Sequence, residues 1–264
     1  MLQFPRMNPN LIEIGPFQIR WYGLMYVLGF LAAYFLISRQ SKARDLGLQG
    51  AKLQDFIFFL ALGLIVGARL GYVLFYQYSD FAFYLQHPLE IIAVWHGGMS
   101  FHGGLIGALA AGILFCRLKK LPVWEVADTT IVAAPIGLGL GRLGNFINGE
   151  LYGRVADLPW AMVFPGAGPE PRHPSQLYEA ALEGVLLFVL LWLLKDRPAR
   201  PGAMVCLFLS GYGISRFIAE FFRQPDPQIG LFFGILSMGQ ILCLAMVLAA
   251  VILWRLLPAK SSVH

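Results

Sequence analysis

A ten-residue stretch, 141–150, carries the densest set of charged and hydrogen-bonding groups in the chain. Its sequence, GRLGNFINGE, supplies one guanidinium, two amides, one carboxylate and three glycines directly after an almost uncharged apolar segment. Arginine is costly at membrane depth, and glycine weakens a helix by roughly 1 kcal/mol relative to alanine. We therefore interpret the stretch as part of a site, in preference to a flexible loop whose arginine extends to the water interface.

A second polar group lies on one face of a predicted helix, where Tyr212, Arg216, Glu220 and Arg223 are spaced i, i+4, i+8 and i+11. Arginine offers a planar fork that binds phosphate or carboxylate with two hydrogen bonds and stays protonated. Arg216 and Glu220 form either a simple intrahelical ion pair or a unit in which the carboxylate orients the guanidinium for a ligand. We favour a mixed role.

Histidines and one further arginine are the other candidates. His102 follows Phe101 and precedes two glycines that open space beside it, so we expect it to have a chemical role. His96 and His173 are interpreted as structural. For Arg69, contact with a backbone carbonyl and contact with a phosphate both remain open.

Several classes of chemistry are not expected from this sequence. No histidine and carboxylate pair has metal-ligand spacing, and neither Gly-x-Ser-x-Gly nor His-x4-Asp occurs. The three cysteines, Cys116, Cys206 and Cys243, lie in apolar segments without motif spacing and are predicted to be small buried hydrophobic residues. Metal and serine chemistry are therefore not predicted.

The elements that position these groups are predicted to be membrane-spanning helices. Of the 264 residues, 58% are hydrophobic and 13% charged, with a mean hydropathy of +0.65, whereas ordinary soluble domains have about 25% charged residues. The sequence thus predicts an all-α polytopic membrane protein, a single integral-membrane domain over residues 1–264. We predict seven spans: about 19–38, 55–77, 95–116, 124–143, 176–194, 202–222 and 235–256.

The basic residues assign the orientation of these spans. Twelve of the twenty, including all six lysines, fall on one side: Arg39, Lys42, Arg44, Lys52, Arg117, Lys119, Lys120, Lys195, Arg197, Arg200, Arg255 and Lys260. By the positive-inside rule that side is the cytoplasm, so the N-terminus is outside. The net charge of +5 is not concentrated in one patch, and no nucleic-acid partner is predicted. The segment 144–174, rich in glycine and proline, is predicted to form a small extracytoplasmic head.

The remaining eight basic residues are all arginines of the outer half: Arg6, Arg20, Arg69, Arg142, Arg154, Arg172, Arg216 and Arg223. Lysine would serve equally well for solvation, so the exclusive use of arginine indicates an anionic ligand. A phosphate-bearing lipid can enter sideways between helices and bring its own negative charge. The outer-leaflet site is therefore predicted to bind a phospholipid.

Small residues predict close helix packing. Gly63, Gly67 and Gly71 repeat every four residues on the second span, and Gly103 and Gly107 do so on the third. Pro135 interrupts the fourth span, so its outer half is expected to be distorted or broken.

Five motifs of the chain resemble those of prolipoprotein diacylglyceryl transferases. They are 21–26 (WYGLMY), 96–104 (HGGMSFHGG), 141–150 (GRLGNFINGE), 172–179 (RHPSQLYE) and 211–225 (GYGISRFIAEFFRQP). The resemblance extends over essentially the whole chain. It implies a bacterial inner-membrane enzyme of seven spans with a small periplasmic head, a periplasmic N-terminus, a cytoplasmic C-terminus and an active site that faces the periplasm.

The reaction implied by the resemblance moves the sn-1,2-diacylglyceryl group of phosphatidylglycerol to the lipobox cysteine of a prolipoprotein signal peptide. The products would be a thioether and glycerol 1-phosphate, in the first step of lipoprotein maturation. Phosphatidylglycerol, the prolipoprotein and the bilayer are the expected partners. No cofactor or metal is implied, and a monomer is expected.

The resemblance also suggests roles for individual residues. By position, Arg142 and Arg216 match the family's two principal arginines, and other matching positions are Tyr22, His102, Asn145, Glu150, Gly153 and Glu220. We expect Arg142 and Arg216 to hold the phosphate, with Asn145 and Tyr22 orienting the headgroup. Glu150, Gly153 and Arg69 complete the expected substrate-binding set.

The acceptor thiol needs a base, because with an ordinary pKa of about 8.5 only a few per cent of a thiol is thiolate at neutral pH. His102 is the leading candidate, with Glu220 or Glu150 as alternatives.

Two other functions stay open. A lipid flippase or anion transporter would need polar residues through the inner half and an internal repeat, whereas here the polar residues stop near mid-membrane and no repeat is found. A lipid phosphatase would need a nucleophile beside the arginines, which the spacing of His102 and Ser175 does not exclude.

Overall fold

The computed structural model describes residues 2–5, 7–14, 17–197, 200–224, 231–232 and 236–257. Of the residues singled out above, Arg6, Pro225 and Lys260 lie outside these ranges, as does residue 235, where the last span was predicted to begin. The chain divides into two compact units, Met1–Ile37 with Ala127–His264, and Ser38–Val126. Each unit is described by itself.

The described residues are mainly helical. The helices are α1 (Trp21–Ala43), α2 (Ala51–Phe75), α3 (Phe81–Gln86), α4 (Leu89–Ile92), α5 (Phe101–Leu118), α6 (Val123–Ile131), α7 (Ala134–Asn148), α8 (Ser175–Glu179), α9 (Leu187–Leu194), α10 (Ala203–Ala219) and α11 (Met238–Leu256). A π-helical segment, Ala180–Leu186, joins α8 to α9, and short 3-10 turns occupy Tyr78–Asp80 and Val94–His96.

Within the described ranges, six helical stretches are long and apolar enough to cross a membrane. They are Trp21–Ala43, Ala51–Phe75, Phe101–Leu118, Val123–Asn148, Ser175–Leu194 and Met238–Leu256. The predicted span 202–222 corresponds to α10, a shorter apolar helix of 17 residues. The fold is thus that of a polytopic, mostly helical membrane protein.

Helix α5 begins later than predicted. The predicted span starts at 95, whereas α5 starts at Phe101, because Gly97 and Gly98 have φ angles of 81° and 75° that a helix does not accept. Ser100 then caps the helix, its hydroxyl oxygen accepting a hydrogen bond from the backbone N–H of Gly103 at 3.2 Å.

The predicted interruption of the fourth span is present, but it precedes Pro135, and the predicted distortion of the outer half after this residue is wrong. Turn residues 132–133 separate α6 from α7, and Pro135 lies in the first turn of α7, where its missing N–H breaks no helical hydrogen bond. Residues 134–148 then form a regular helix that ends at Gly149, which has a left-handed φ of 68°. The non-helical part of the predicted head therefore begins after Asn148.

Short strand pairings occur at three places in the described part of the unit formed by Met1–Ile37 and Ala127–His264, one of them in the segment predicted to form the head. Strand β1 (Leu2–Gln3) pairs in parallel with β4 (Met162–Val163), Leu2 opposite Met162, while β2 (Asn10–Ile14) and β3 (Phe17–Arg20) form an antiparallel hairpin before α1. Phe4 is buried against Phe146 and Phe164, with ring centroids 5.3 and 5.2 Å away. Strands β5 (Leu231–Phe232) and β6 (Leu236–Ser237) pair antiparallel before α11.

In the Ser38–Val126 unit, the close packing predicted at the glycines of the second and third spans is confirmed, and the structure shows that these two helices, α2 and α5, pack against each other. A Cβ at Gly67 would lie 2.8 Å from the Cα of Gly107, and a Cβ at Gly71 would lie 2.8 Å from the Cα of Gly103. The two backbones are therefore in direct contact, as small residues permit in lipid. Below this contact, Phe56 and Phe115 pack with ring centroids 5.4 Å apart.

In the other unit, a buried carboxylate fixes the start of α10. The Asp128 side chain on α6 accepts hydrogen bonds from the backbone N–H groups of Gly202 and Val205 at 2.8 and 3.1 Å. A carboxylate at this end satisfies free N–H groups and interacts favourably with the helix dipole. Near it, Leu187, Leu191 and Met204 form a fully buried apolar core.

The glycine contact generates a stability prediction. A Cβ at Gly107 would lie 2.8 Å from the Cα of Gly67 and well within contact distance of the Gly63 carbonyl oxygen. Gly107→Ala should therefore destabilise the protein by about 1–3 kcal/mol and lower its melting temperature in detergent. Gly137→Ala is the matched control, because no described heavy atom lies within 4 Å of a Cβ at that helical position. Equal melting temperatures for the two variants would contradict the prediction.

Candidate active site

Three arginines and three glutamates meet inside the unit formed by Met1–Ile37 and Ala127–His264. They come from α7, from α8 with its π-helical continuation, and from α10 with the turn after it: Arg142, Glu179, Glu183, Arg216, Glu220 and Arg223. We call this set the arginine–glutamate cluster. The predicted site residues Arg142, Arg216 and Glu220 are thereby brought together.

Glu179 is the centre of the cluster. Its Oε2 atom lies 2.7 Å from Nη1 of Arg216, 2.9 Å from Nε of Arg142 and 3.5 Å from Nη1 of Arg223. The side chain is 0% exposed, so this carboxylate depends on the arginines for the loss of its hydration. One carboxylate oxygen of Glu179 thus contacts three guanidinium groups.

The other two carboxylates bind Arg216 from different sides. Glu220 lies 2.8 Å from Nη2 of Arg216, and the hydroxyl of Ser237 donates to the second Glu220 oxygen at 3.0 Å. Glu183, also 0% exposed, approaches Arg216 and Arg142 only to 3.6 Å. The expected ion pair of Arg216 and Glu220 is therefore present, as one part of a larger network.

Glycines allow the elements to come close enough for these contacts. A Cβ at Gly184 would lie 2.7 Å from the Cα of Gly139, so α7 and the π-helical segment touch backbone to backbone one turn from Arg142. A Cβ at Gly239 would lie 2.8 Å from the Glu220 carboxylate, which places the start of α11 against the same cluster. π-Helical segments are uncommon and are frequent at functional sites.

The amides of the 141–150 motif bind a neighbouring carboxylate. Side-chain amides of Asn145 and Asn148 donate to Oε1 of Glu150 at 2.9 and 3.1 Å, and Gln176 donates to the backbone carbonyl of Glu150 at 2.6 Å. These contacts tie the end of α7 to the start of α8. Asn145 and Glu150 were both predicted as site residues, and the structure joins them to each other.

Gly153 occupies a position that no side chain fits. Its N–H donates to the carbonyl of His173 at 2.9 Å, and a Cβ would lie 2.7 Å from that of His173 and within contact distance of the Phe222 carbonyl oxygen. Burial lowers the pKa of His173, which keeps the imidazole neutral at neutral pH. Gly153 thus joins the head to the chain beyond α10.

Tyr22 lies at the start of α1 and packs against Gly144 of α7. A Cβ at Gly144 would lie 2.8 Å from the Tyr22 ring, and the Tyr22 hydroxyl is 3.4 Å from that of Tyr26. Because Gly144 has no side chain, the Tyr22 ring can pack directly against α7 within the 141–150 motif.

Arg69, in the Ser38–Val126 unit, uses its guanidinium to bind the backbone. It is 5% exposed and donates to the carbonyls of Glu90, Ile91, Gly97 and Gly98, among them Glu90 at 2.6 Å and Ile91 at 3.1 Å. All three of its nitrogens are used in this way. Of the two roles left open by the sequence, the carbonyl contact is present.

His102 lies in the first turn of α5 in the same unit. Its side chain is exposed, and its ring packs edge to face on Phe101 with centroids 5.6 Å apart. His96, interpreted as structural, has its Nδ1 2.8 Å from the Glu90 carboxylate.

Sequence reasoning missed Glu179 and Glu183 as site residues. The signal was available, because two carboxylates spaced i, i+4 lie in the otherwise apolar stretch Ser175–Leu194. An ionisable residue within a membrane span marks a functional site by default.

The arrangement is suited to binding an anion. Three guanidinium groups converge in a largely buried region, where charge–charge interactions are stronger than in water. A phosphate that replaces a carboxylate as their partner would keep each arginine paired. Among the described residues, no three histidine, cysteine, aspartate or glutamate side chains are grouped as metal ligands would be.

Comparison with known proteins places the chain in a family. The family model described as prolipoprotein diacylglyceryl transferase matches residues 9–256. A curated relative from Geobacter sulfurreducens, phosphatidylglycerol–prolipoprotein diacylglyceryl transferase, is 54% identical over 94% of this chain and 94% of its own length. Proteins of the same name from Desulfotalea psychrophila (50% identical, 95% and 93% covered) and Bordetella avium (51%, 99% and 99%) are similar over comparable lengths.

The match is not limited to one motif, because it includes the helices that carry the arginine–glutamate cluster and the segments that join them. About half of the residues are identical over 94–99% of both chains. The chain belongs to the prolipoprotein diacylglyceryl transferase family.

Proposed function

We propose that this protein transfers the sn-1,2-diacylglyceryl group of phosphatidylglycerol to the thiol of the lipobox cysteine in prolipoproteins. The products are a thioether-linked lipid and glycerol 1-phosphate, and the reaction is the first step of lipoprotein maturation. The observation that carries the proposal is the convergence of Arg142, Arg216 and Arg223 on one buried carboxylate. Relatives at 49–54% identity carry this activity in their names.

The arginines are assigned to the phosphate of the lipid. In the reaction a C–S bond forms and the bond between the glyceryl carbon and the phosphate oxygen breaks, so the leaving phosphate gains negative charge. Arg142 and Arg216, held in place by carboxylates, are preorganised donors for that charge. Asn145 and Tyr22 are assigned to the headgroup, with Glu150 and Gly153 completing the substrate-binding set.

His102 is assigned as the base that takes the thiol proton. The two alternative bases already have partners. Glu220 forms an ion pair with Arg216 and accepts a hydrogen bond from Ser237, and Glu150 accepts hydrogen bonds from Asn145 and Asn148. No described residue hydrogen-bonds the His102 imidazole, which supports its availability as a base. Arg69 is assigned a structural role, because its donors are directed to backbone carbonyls.

We further propose seven membrane spans, namely the six long apolar stretches together with α10, which is the sixth in chain order. At 1.5 Å per residue its 17 residues extend about 26 Å, close to the roughly 30 Å of a bilayer core. The charge distribution supports a periplasmic N-terminus, a cytoplasmic C-terminus and a periplasmic head over 144–174, in a bacterial inner membrane. The site then faces the periplasm, and the protein acts as a monomer.

The transfer reaction is tested with purified protein, phosphatidylglycerol and a lipobox peptide. We expect release of glycerol phosphate together with a diacylglyceryl mass gain on the peptide, because the thiol is the nucleophile. Both signals should disappear with a peptide in which serine replaces the cysteine. Release of glycerol phosphate without peptide modification would instead indicate a headgroup hydrolase, and lipid binding without turnover would indicate transport.

The residue assignments are tested by two substitutions. Arg142→Ala should lower kcat at least about 10²-fold, because a preorganised donor to the developing charge is lost. His102→Gln should lower kcat by about 10²–10⁴-fold and alter its pH profile, because a general base is lost. Rates would be measured at saturating lipid and peptide. Near-full activity of His102→Gln beside an inactive Arg142→Ala would refute the base assignment and leave the phosphate assignment standing.

A further inference from the structure

The arginine–glutamate cluster balances its formal charges before any lipid is bound. Three arginines face three glutamates, and both Glu179 and Glu183 are fully buried. A lipid phosphodiester adds one negative charge to this set. An uncompensated charge in a buried site is strongly unfavourable, so binding must be accompanied by a compensating change.

Glu183 is the carboxylate least firmly held by the cluster. Neither of its oxygens has a hydrogen-bond partner among the described residues, and its nearest guanidinium nitrogens, on Arg142 and Arg216, are 3.6 Å away. Glu179 lies 2.7 and 2.9 Å from the same two arginines, and Glu220 has both Arg216 and Ser237. If Arg142 and Arg216 turn to a phosphate, Glu183 loses both of its neighbouring cations.

The other titratable groups that interact electrostatically with Glu183 cannot absorb the added charge by gaining a proton. They are Arg142 from α7, Tyr212 and Arg216 from α10, Cys243 from α11, and Glu179 on its own helix. Arginine is already protonated, and tyrosine and cysteine are neutral in their protonated forms. Glu179 keeps a third guanidinium, that of Arg223 at 3.5 Å, when Arg142 and Arg216 turn to the phosphate, whereas Glu183 has no third arginine beside it among the described residues. Glu183 is left as the proton acceptor.

We propose that Glu183 binds a proton from solvent when the cluster binds the phosphate of a phospholipid, so that lipid binding is coupled to proton uptake. This inference rests on the proposed function, because it takes the cluster to be the phosphate site. No bond of the lipid is made or broken in this step. Glu183 is a positioning residue, which acts through the charge balance around Arg142 and Arg216 and does not touch the reacting atoms.

The coupling has a defined sign. There is a range of pH in which Glu183 is ionised in the free protein and protonated in the complex, and in this range a rise in pH weakens the binding of the lipid. In that range the affinity for phosphatidylglycerol falls up to about tenfold per pH unit, and at pH values outside it the affinity is constant. A permanently neutral side chain, as in Glu183→Gln, removes this dependence and retains tight binding at high pH.

The experiment measures the binding of a soluble short-chain phosphatidylglycerol to the full-length protein in detergent, without peptide so that no transfer occurs. Titration calorimetry in buffers of different ionisation enthalpy gives the number of protons taken up. We expect on the order of one proton per lipid for the unmodified protein and none for Glu183→Gln. Two controls, Glu170→Gln at an exposed position of the head and His102→Gln, should take up protons as the unmodified protein does.

Several outcomes would overturn the inference. Lipid binding by the unmodified protein without net proton uptake would do so, as would uptake that persists in Glu183→Gln or disappears in His102→Gln. Infrared difference spectra of the unmodified protein, which should show a new protonated carboxyl band on lipid binding, test the same point if Glu183→Gln does not fold. A protein that transfers lipid to the peptide without proton uptake refutes this inference alone, whereas one that binds no phosphatidylglycerol refutes the proposed function as well.

Discussion

Ionised side chains inside an apolar helical protein must be paired, and the unit that carries the arginine–glutamate cluster depends on that constraint. Glu179 has no exposure to water and contacts three guanidinium groups through one oxygen atom. Removing one partner from such a set leaves a buried charge uncompensated. The positions of α7, α8 and α10 are therefore tied to one another by electrostatics as well as by packing. A ligand that binds there must replace these interactions rather than add to them.

Glycine is the means by which the helices approach closely enough to satisfy that constraint. Gly139 and Gly184 bring the backbones of α7 and the π-helical segment into contact beside Arg142, and Gly239 gives room to Glu220. The same device operates in the Ser38–Val126 unit, where α2 and α5 touch through glycines along their length. In lipid, where apolar side chains gain little from association, such close contact supplies much of the attraction between helices. The close backbone contacts at the glycines are thus what allows the charged side chains of neighbouring helices to reach one another.

The sequence was sufficient for the helical, membrane-spanning character, because hydropathy is local in the chain. It also singled out Arg142, Arg216 and Glu220, which the structure brings into one ion-pair network. It was insufficient for helix boundaries, since Gly97, Gly98 and Ser100 delay α5 by a loop that hydropathy does not detect. Glu179 and Glu183 were missed because the high mean hydropathy of the stretch Ser175–Leu194 hides two carboxylates. The carbonyl contacts of Arg69 depend on a loop that ends 29 residues away, which no periodicity predicts.

The pairing of β1 with β4 has a consequence for the order in which the molecule is assembled. Leu2 lies opposite Met162, and Phe4 packs on Phe164, so the head joins segments about 160 residues apart in the chain. At a synthesis rate of about 5–20 residues per second, the first strand emerges on the order of ten seconds or more before its partner exists. During that interval α1 to α7 are already available for insertion. The pairing of β1 with β4 therefore forms late, after the helix that carries Arg142 has been made, and it joins the earliest part of the chain to the middle.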